Sequence, residues 1–235
     1  MAQQLQPKAE DFPLDLDWTL SSTVALRAIV PPDAFTAQIL GTLRIGHAAV
    51  IGPDLVLTIG YLITEAEQVW LQTGTGKVVA GHPLGVDMAS GLAWCARSNR
   101  STCRRWRSAI PARCWWATGV IMGGGGRVSR SVAARLVGRE EFAGYWEYVL
   151  DEALFTAPAH PMWSGAALIG PTGKLVGIGS LQMQQQLSGG KVTPLNMVVP
   201  IDLLPPILPA LTAGGHDLSG GPGSASWPRR SAGGW

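Results

Sequence analysis

Apolar residues along this chain fall in short runs that have the length of β-strands and end at glycine, proline or aspartate. The run at 24–30 stops at a pair of prolines, and the runs at 48–51 and 55–58 flank a Gly-Pro-Asp turn. The same arrangement returns around the Gly-Thr-Gly turn at 74–76. Successive hairpins of this kind are typical of an antiparallel barrel.

The second half of the chain repeats the pattern after a run of four glycines. Strand-length apolar runs stand at 131–137 and 145–150, a hairpin is predicted over 166–179, and 196–201 has the pattern of a last strand. Residues 202–211 predict a short closing helix that two prolines limit. The predicted order is a loose lead-in, a first barrel, a second barrel and a disordered tail, at residues 1–20, 21–118, 119–211 and 212–235.

Composition agrees with a globular all-β protein. The chain has 235 residues, of which 46% are hydrophobic and only 14% are charged, together with 30 glycines and 17 prolines. Low charge with frequent turn-forming residues suits many short strands. The net charge of +2 is too small to imply a polyanionic partner.

Several features bear on the compartment. No apolar run is long enough to span a bilayer, and residues 1–20 lack the pattern of a secretory signal. The three cysteines, Cys95, Cys103 and Cys114, match neither a zinc cluster nor a disulfide framework. We therefore expect reduced thiols and a cytoplasmic protein without a membrane partner.

One segment departs from the pattern around it. Residues 94–116 hold all three cysteines, four of the ten tryptophans and six arginines, and they show neither strand nor helix periodicity. Arginine on phosphates and tryptophan on bases would make this a nucleic-acid patch, which we regard as the weakest interpretation. A solvated basic loop is the second, although unstructured loops of this length are uncommon.

The third interpretation is a short frame slip in a GC-rich gene. The segment stands where the last strand and the linker of a double barrel would be expected, and it has the Arg, Cys, Trp and Ser bias of an out-of-frame translation. Resequencing the gene tests this hypothesis. An intact single frame through residues 93–122 in independent isolates would remove it.

Four stretches carry a resemblance to a known family. They are His47 with its glycine and apolar neighbours, then the Leu-Thr-Ile-Gly-Tyr-Leu-Ile stretch at 57–63, then the Asp-Met-Ala-Ser-Gly-Leu-Ala stretch at 87–93, followed by Trp-Ser-Gly-Ala at 163–166. In order and spacing they resemble the trypsin-like serine proteases of the Deg/HtrA type over roughly residues 21–211. The resemblance implies two six-stranded antiparallel β-barrels and a serine-type endopeptidase that needs no cofactor and no metal.

Carried over residue by residue, the resemblance leaves the catalytic triad incomplete. Ser164 stands at the nucleophile position, Tyr61 at the position of the base and Gly91 at the position of the acid. A serine hydroxyl needs a partner that takes its proton, and a phenol with an ordinary pKa of about 10 is itself protonated. The oxyanion hole would be formed by the backbone N–H groups of Met162 and Ser164, with methionine where the family has glycine.

No other residue replaces the lost base convincingly. His47, His82 and His160 are the candidates, but His160 lies on the same tight loop as Ser164, and each has the simpler interpretation of a surface or loop histidine. Asp87 has no imidazole to orient, so we interpret it as a turn residue.

These residues leave three functional hypotheses. The first in rank is a catalytically silent relative that binds extended peptides by strand addition. The second is an active endopeptidase using Ser164, with apolar specificity because Pro158 stands where an acid would attract Lys or Arg. The third is binding of nucleic acid. Gly123–Gly126 lacks the lysine of a phosphate loop, and no peptide-binding module follows the second barrel.

Overall fold

The computed structural model describes residues 3–98, 119–144, 148–186, 190 and 192–212, and its framework consists of two closed antiparallel barrels of six strands each. This confirms the predicted all-β class and the predicted pair of barrels. No helix in the described part of the chain has the length and apolarity needed to cross a membrane.

The first barrel closes in the order β1-β2-β3-β6-β5-β4. Strand β1 pairs with β2 on one side and with β4 on the other, so it has no open edge. A helical turn, α2 (Ala37–Leu40), lies between β1 and β2, and a second, α3 (Gly60–Ile63), follows β3. The strands are β1 Thr23–Ile29, β2 Leu43–Val50, β3 Leu55–Ile59, β4 Gln68–Gln72, β5 Val78–Val86 and β6 Leu92–Arg97.

The second barrel closes in the equivalent order, β10-β11-β12-β9-β8-β7. A 3-10 turn at Ile201–Leu203 and helix α4 (Leu204–Thr212) follow it, at the place where the sequence predicts a closing helix. The strands are β7 Gly119–Gly123, β8 Val132–Ala143, β9 Val149–Ala157, β10 Ala167–Ile169, β11 Leu175–Gln186 and β12 Val192–Pro200, with another 3-10 turn at Val128–Arg130.

The N-terminal segment is more ordered than predicted. After 3-10 turns at Gln3–Leu5 and Ala9–Asp11 comes helix α1 (Leu16–Leu20), where the Asp15 carboxylate accepts a hydrogen bond from Trp18 N at 2.9 Å. Phe12, Leu16 and Leu20 are buried in the apolar core. The prediction of a loose lead-in is therefore wrong for these residues, because their side chains complete the core.

The start of the segment at residues 94–116 also differs from the prediction, which found no strand pattern there. Trp94 and Cys95 belong to β6, the last strand of the first barrel, and their side chains are fully buried. Burial raises the pKa of the Cys95 thiol to about 12, which makes it a packed, unreactive group. Residues 99–118, with Cys103 and Cys114, lie outside the described residues, so the frame slip stays a prediction. The predicted tail also lies outside them from residue 213 on, while Thr212 ends α4.

The glycine run after β7 lies where the two barrels meet. Gly126 has a φ of +70°, donates its N–H to Thr23 Oγ1 at 2.8 Å and packs against the backbone of Gly74 so closely that a Cβ on either residue would overlap the other. Arg127 Nε donates to Gly74 O at 2.5 Å. The run is thus a packing element between the barrels.

Candidate active site

Ser164 lies on the turn that precedes β10, and both barrels hold its backbone. Its carbonyl oxygen accepts a hydrogen bond from His47 N on β2 at 2.8 Å. The next residue, Gly165, has a φ of +71° and donates its N–H to Gly179 O on β11 at 2.8 Å. The Thr58 hydroxyl donates to His47 O at 2.7 Å and fixes the β2 side of this junction.

Tyr61 reaches Ser164 from the first barrel. It lies on α3, and the buried Arg44 holds this turn by donating from Nη1 to Tyr61 O at 2.7 Å and to Thr64 O at 2.9 Å. The phenol oxygen is 2.9 Å from Ser164 Oγ and 2.5 Å from Ser180 O. The structure therefore brings together the residues at the predicted base and nucleophile positions.

The position of the proton follows from the donor and acceptor types in this triplet. Ser180 O is a carbonyl and can only accept, whereas the Tyr61 phenol carries one proton. With that proton directed to Ser180 O, the Ser164 hydroxyl is left to donate to the phenol oxygen. A neutral phenol accepts such a hydrogen bond but cannot take the proton itself, so Ser164 has a partner that is not a base.

The predicted acid position is filled by a second tyrosine. Gly91 has a φ of +72°, and a Cβ added there would overlap the ring of Tyr148, which comes from the segment before β9 in the other barrel. The Tyr148 hydroxyl forms a hydrogen bond with Ser180 Oγ. Glycine at 91 and tyrosine at 148 are thus complementary, and a carboxylate at 91 has no room while Tyr148 is in place.

Asp87, four residues earlier, organises this turn. Its carboxylate accepts from Ser90 N at 2.9 Å and from Ser90 Oγ at 2.5 Å, and its carbonyl oxygen accepts from Gly91 N. These bonds agree with the interpretation of Asp87 as a turn residue.

The predicted oxyanion donor Met162 is directed elsewhere. Met162 N donates to His160 Nδ1 at 3.0 Å, and His160 Nε2 lies 2.8 Å from Arg130 O. A nitrogen that accepts from an amide carries no proton, so the other nitrogen carries it and donates to the carbonyl. This tautomer leaves neither His160 nitrogen for Ser164 and removes one of the two donors that an oxyanion would need.

The prediction of surface or loop histidines holds for His82 and, as a loop residue, for His160, although His160 is buried; it is wrong for His47, which lies buried on β2. His82 is exposed on β5 and bonds to Ser98 Oγ at 3.0 Å. His160 and His47 are buried, with ring centroids 5.7 Å apart in an edge-to-face arrangement. The backbone N–H of His160 donates to Oδ1 of Asn196 on β12 at 2.5 Å, and this hydrogen bond fixes the loop before Ser164.

The His47 ring is held neutral between the barrels. Burial lowers its pKa to about 3, with electrostatic repulsion from His160 and Arg130 acting in the same direction. Neither ring nitrogen has a hydrogen-bond partner among the described residues. Burial also lowers the pKa of His160. The His47 ring thus packs without a hydrogen bond to the described residues, whereas both nitrogens of His160 are engaged, so neither ring is a proton acceptor for Ser164.

The described residues contain no group of three or more His, Cys, Asp or Glu side chains that could hold a metal ion. The residues at the predicted site positions thus lie around Ser164. Tyr61 stands at the predicted base position, Tyr148 covers Gly91 at the predicted acid position, and Met162 N is bound to His160. Sequence reasoning missed Tyr148 and Ser180. Neither residue lies in a motif, and their proximity to Tyr61 and Gly91 depends on how the two barrels pack.

Comparison with known proteins places this geometry in a known fold. No family model and no curated protein matches the chain by sequence. Among solved structures, the active form of the Rv3671c protease from M. tuberculosis aligns with a TM-score of 0.66 and 18% identity over 88% of each chain. Its inactive form aligns with a TM-score of 0.58 and 18% identity, covering 83% of this chain and 90% of that one.

The HtrA-type protease AlgW with a tripeptide aligns with a TM-score of 0.63 and 13% identity. The match covers 84% of this chain and 64% of AlgW, so this chain corresponds to about two thirds of that protein. These likenesses establish that the chain has the double-barrel fold of trypsin-like serine proteases.

Proposed function

We propose that this protein is a non-cleaving member of the trypsin-like serine protease fold that binds extended peptides. The observation that carries the proposal is the Tyr61 phenol 2.9 Å from Ser164 Oγ, because it puts a group that cannot accept a proton where the base must act. Two further observations support it independently. The Tyr148 ring fills the space beside Gly91, and Met162 N donates its hydrogen bond to His160 Nδ1. Without a triad member, only about 10³ to 10⁴ of the rate enhancement over water remains in the well-studied serine proteases.

An open strand edge supports the binding part of the proposal. Strand β10 pairs with β11 only as far as Ile178, whereas β11 continues to Gln186 paired with β12. In the described part of the chain, the other edge of β11 beyond Ser180 has no strand partner. Such an edge accepts an extended peptide through backbone hydrogen bonds. AlgW, which has the same fold, is described with a tripeptide.

Labelling by a fluorophosphonate probe tests the loss of catalysis. We expect wild-type protein to label no faster than Ser164→Ala, since the hydroxyl has no base. Tyr61→His alone should gain little, because Tyr148 still excludes an acid at position 91. The triple variant Tyr61→His/Gly91→Asp/Tyr148→Ala should label about a hundredfold faster than wild type, within the usual contribution of a general base.

The triple variant with Ser164→Ala added is the matched control and should return to background. Wild-type labelling well above Ser164→Ala would contradict the proposal. So would a folded triple variant that stays at background, because the silencing would then not reside at positions 61, 91 and 148. Peptide cleavage by the triple variant should remain slow while Met162 N is bound to His160.

An active endopeptidase is the second candidate. The observation that favours it is the backbone of the Ser164 turn, which His47 N and Gly179 O hold from both barrels. Hydrolysis of peptides by wild-type protein, abolished in Ser164→Ala, would establish it in place of the proposal. The interpretation of residues 94–116 as a nucleic-acid patch is supported by no contact of the described residues.

A further inference from the structure

A groove of about 700 Å³ lies on the outer wall of the first barrel, beside the loop that leads to Ser164. One wall is formed by outward-facing residues of β1, β2, β4 and β5, and the other by the 129–130 turn and the loop at 160–162. Gly46 also lines this groove, and a Cβ added to it would lie 2.6 Å from Ser164 O. We call it the outer groove.

The walls of the outer groove are more apolar than a barrel exterior requires. Ile45 is 54% exposed, Trp70 41%, Val78 52% and Met162 48%. Ile45 and Trp70 both stand opposite Arg27 in the strand pairing, so the three residues form one row across β2, β1 and β4. Large apolar side chains that are contiguous and exposed mark surfaces where a partner binds.

The charges of the outer groove have a single sign. Its charged lining residues are Arg27 and Arg130, and both are exposed. Neither side chain forms an ion pair or hydrogen bond with the described residues. No Asp or Glu lines the groove in that part of the chain. Arg27 stands opposite Trp70 in the strand pairing, and its charge has no partner among the described residues. A carboxylate is the complementary group.

Backbone pairing does not explain recognition at this place. Strand β1 is paired on both sides, so no peptide can add to it as a strand. A ligand of the outer groove must be recognised by its side chains, with apolar groups against Ile45, Trp70 and Val78 and an anionic group at Arg27 or Arg130. A volume of about 700 Å³ accommodates a few side chains.

We propose that the outer groove binds a peptide segment of a partner protein that carries acidic side chains next to large apolar ones. The inference rests on the proposed peptide-binding function and adds the ligand class.

Fluorescence anisotropy with three labelled peptides of equal length tests the proposal on the full chain. The first contains glutamate, leucine and phenylalanine, the second has lysine for each glutamate, and the third has serine for each apolar residue. We expect the first peptide to bind at least about tenfold more tightly than either of the others. Arg27→Gln and Arg130→Gln should each weaken it about two- to fivefold, the range of an exposed charge pair.

Trp70→Thr should weaken the same peptide by about tenfold or more, because a partly buried aromatic anchor contributes most to such contacts. Val78→Thr preserves the strand preference of the position and should weaken binding about two- to threefold through lost apolar contact. Arg135→Gln, an exposed arginine on β8 outside the groove, is the control and should leave binding unchanged. Urea unfolding of each variant checks that it is folded.

Three outcomes would overturn the proposal. Equal binding of the glutamate and lysine peptides would remove the charge argument. Retained binding in the Arg27→Gln/Arg130→Gln double variant would place the ligand elsewhere. Displacement of the peptide by a single-stranded oligonucleotide, with the same dependence on both arginines, would make this a nucleic-acid surface.

The proposed function can fail separately. Probe labelling of wild-type Ser164 would refute silencing whatever the groove binds. Binding of only the lysine peptide, insensitive to the groove variants and without labelling, would leave the non-cleaving peptide binder intact and refute the groove.

Discussion

The two halves of the candidate site differ in how the structure holds them. The nucleophile half, meaning Ser164 with the backbone around it, keeps hydrogen bonds to both barrels through His47 N and Gly179 O. The proton-transfer half, meaning positions 61 and 91, has a phenol and a glycine instead of a base and an acid. Both barrels hold the backbone of the turn, whereas the proton-transfer half depends on which side chains stand at positions 61 and 91.

The difference has a physical basis in what each half contributes to stability. The Ser164 turn joins the barrels, so changing its backbone disturbs packing and hydrogen bonds in both. A base and an acid in a catalytic site contribute little to folding, and two tyrosines can replace them and add hydrogen bonds to Ser180. We infer that the fold constrains the first half and leaves the second free to change.

The largest expected effect is on the nucleophile half. Gly165 has a φ of +71°, and a Cβ there would overlap His47 O and approach Thr58 Oγ1 at 2.6 Å. Because the obstacle is backbone from the other barrel, it cannot move aside cheaply. We expect Gly165→Ala to lower the free energy of unfolding by about 3 kcal/mol or more, measured by urea denaturation.

Gly41 provides the matched control for Gly165. Its φ is +79°, and no atom lies within 4 Å of the place where its Cβ would stand. Gly41→Ala therefore adds only the conformational penalty of about 1 to 2 kcal/mol. Equal losses in the two variants would show that the junction at Ser164 is not a tight constraint, and the contrast between the two halves would fail.

The second effect concerns the buried His47, which belongs to the nucleophile half because its backbone N–H donates to Ser164 O. In the unfolded chain the imidazole binds a proton below pH 6.5, whereas burial lowers the pKa in the folded chain to about 3. Between these values the unfolded state holds more protons. The folded state therefore loses stability as the pH falls from 6.5 toward 3, by up to about 1.4 kcal/mol per pH unit.

The variant His47→Leu isolates this contribution. Urea unfolding of wild type and variant at pH 7 and at pH 4.5 gives two changes in stability, and carboxylates and His160 titrate in both proteins. We expect the wild type to lose more stability on acidification than His47→Leu. An identical loss in the two proteins would mean that His47 is not held neutral between the barrels.

The fold was largely predictable from local patterns. Strand-length apolar runs and Gly-Pro-Asp or Gly-Thr-Gly turns are written within a few residues, and they predict hairpins such as β2–β3 and β4–β5 correctly. The mixed composition after Trp94 hid the end of β6, whose side chains Trp94 and Cys95 are apolar but lie in a segment rich in arginine. Phe12, Leu16 and Leu20 were missed because only tertiary packing buries them.

The candidate site was predictable only where a motif exists. Tyr61, Gly91 and Ser164 could be placed by order and spacing, because they lie in three of the four stretches that resemble the protease family. Tyr148 could not, since its position over Gly91 depends on the packing of one barrel on the other. The burial of His47 and His160 was not predicted for the same reason. Both side chains are covered only when the two barrels pack together, and the sequence around a histidine does not indicate that packing.

The smallest effect tests the proton-transfer half directly, through the hydroxyl that Tyr148 directs to the buried Ser180. Tyr148→Phe leaves Ser180 Oγ without this partner and should lower the free energy of unfolding by about 1 to 2 kcal/mol in urea denaturation. Adding Ser180→Ala removes the unpaired group, so the double variant should recover part of the loss. If Tyr148→Phe costs nothing, or if the second substitution adds its full cost, the hydrogen bond does not stabilise the site. The tyrosine ring would then fill the space over Gly91 by packing alone.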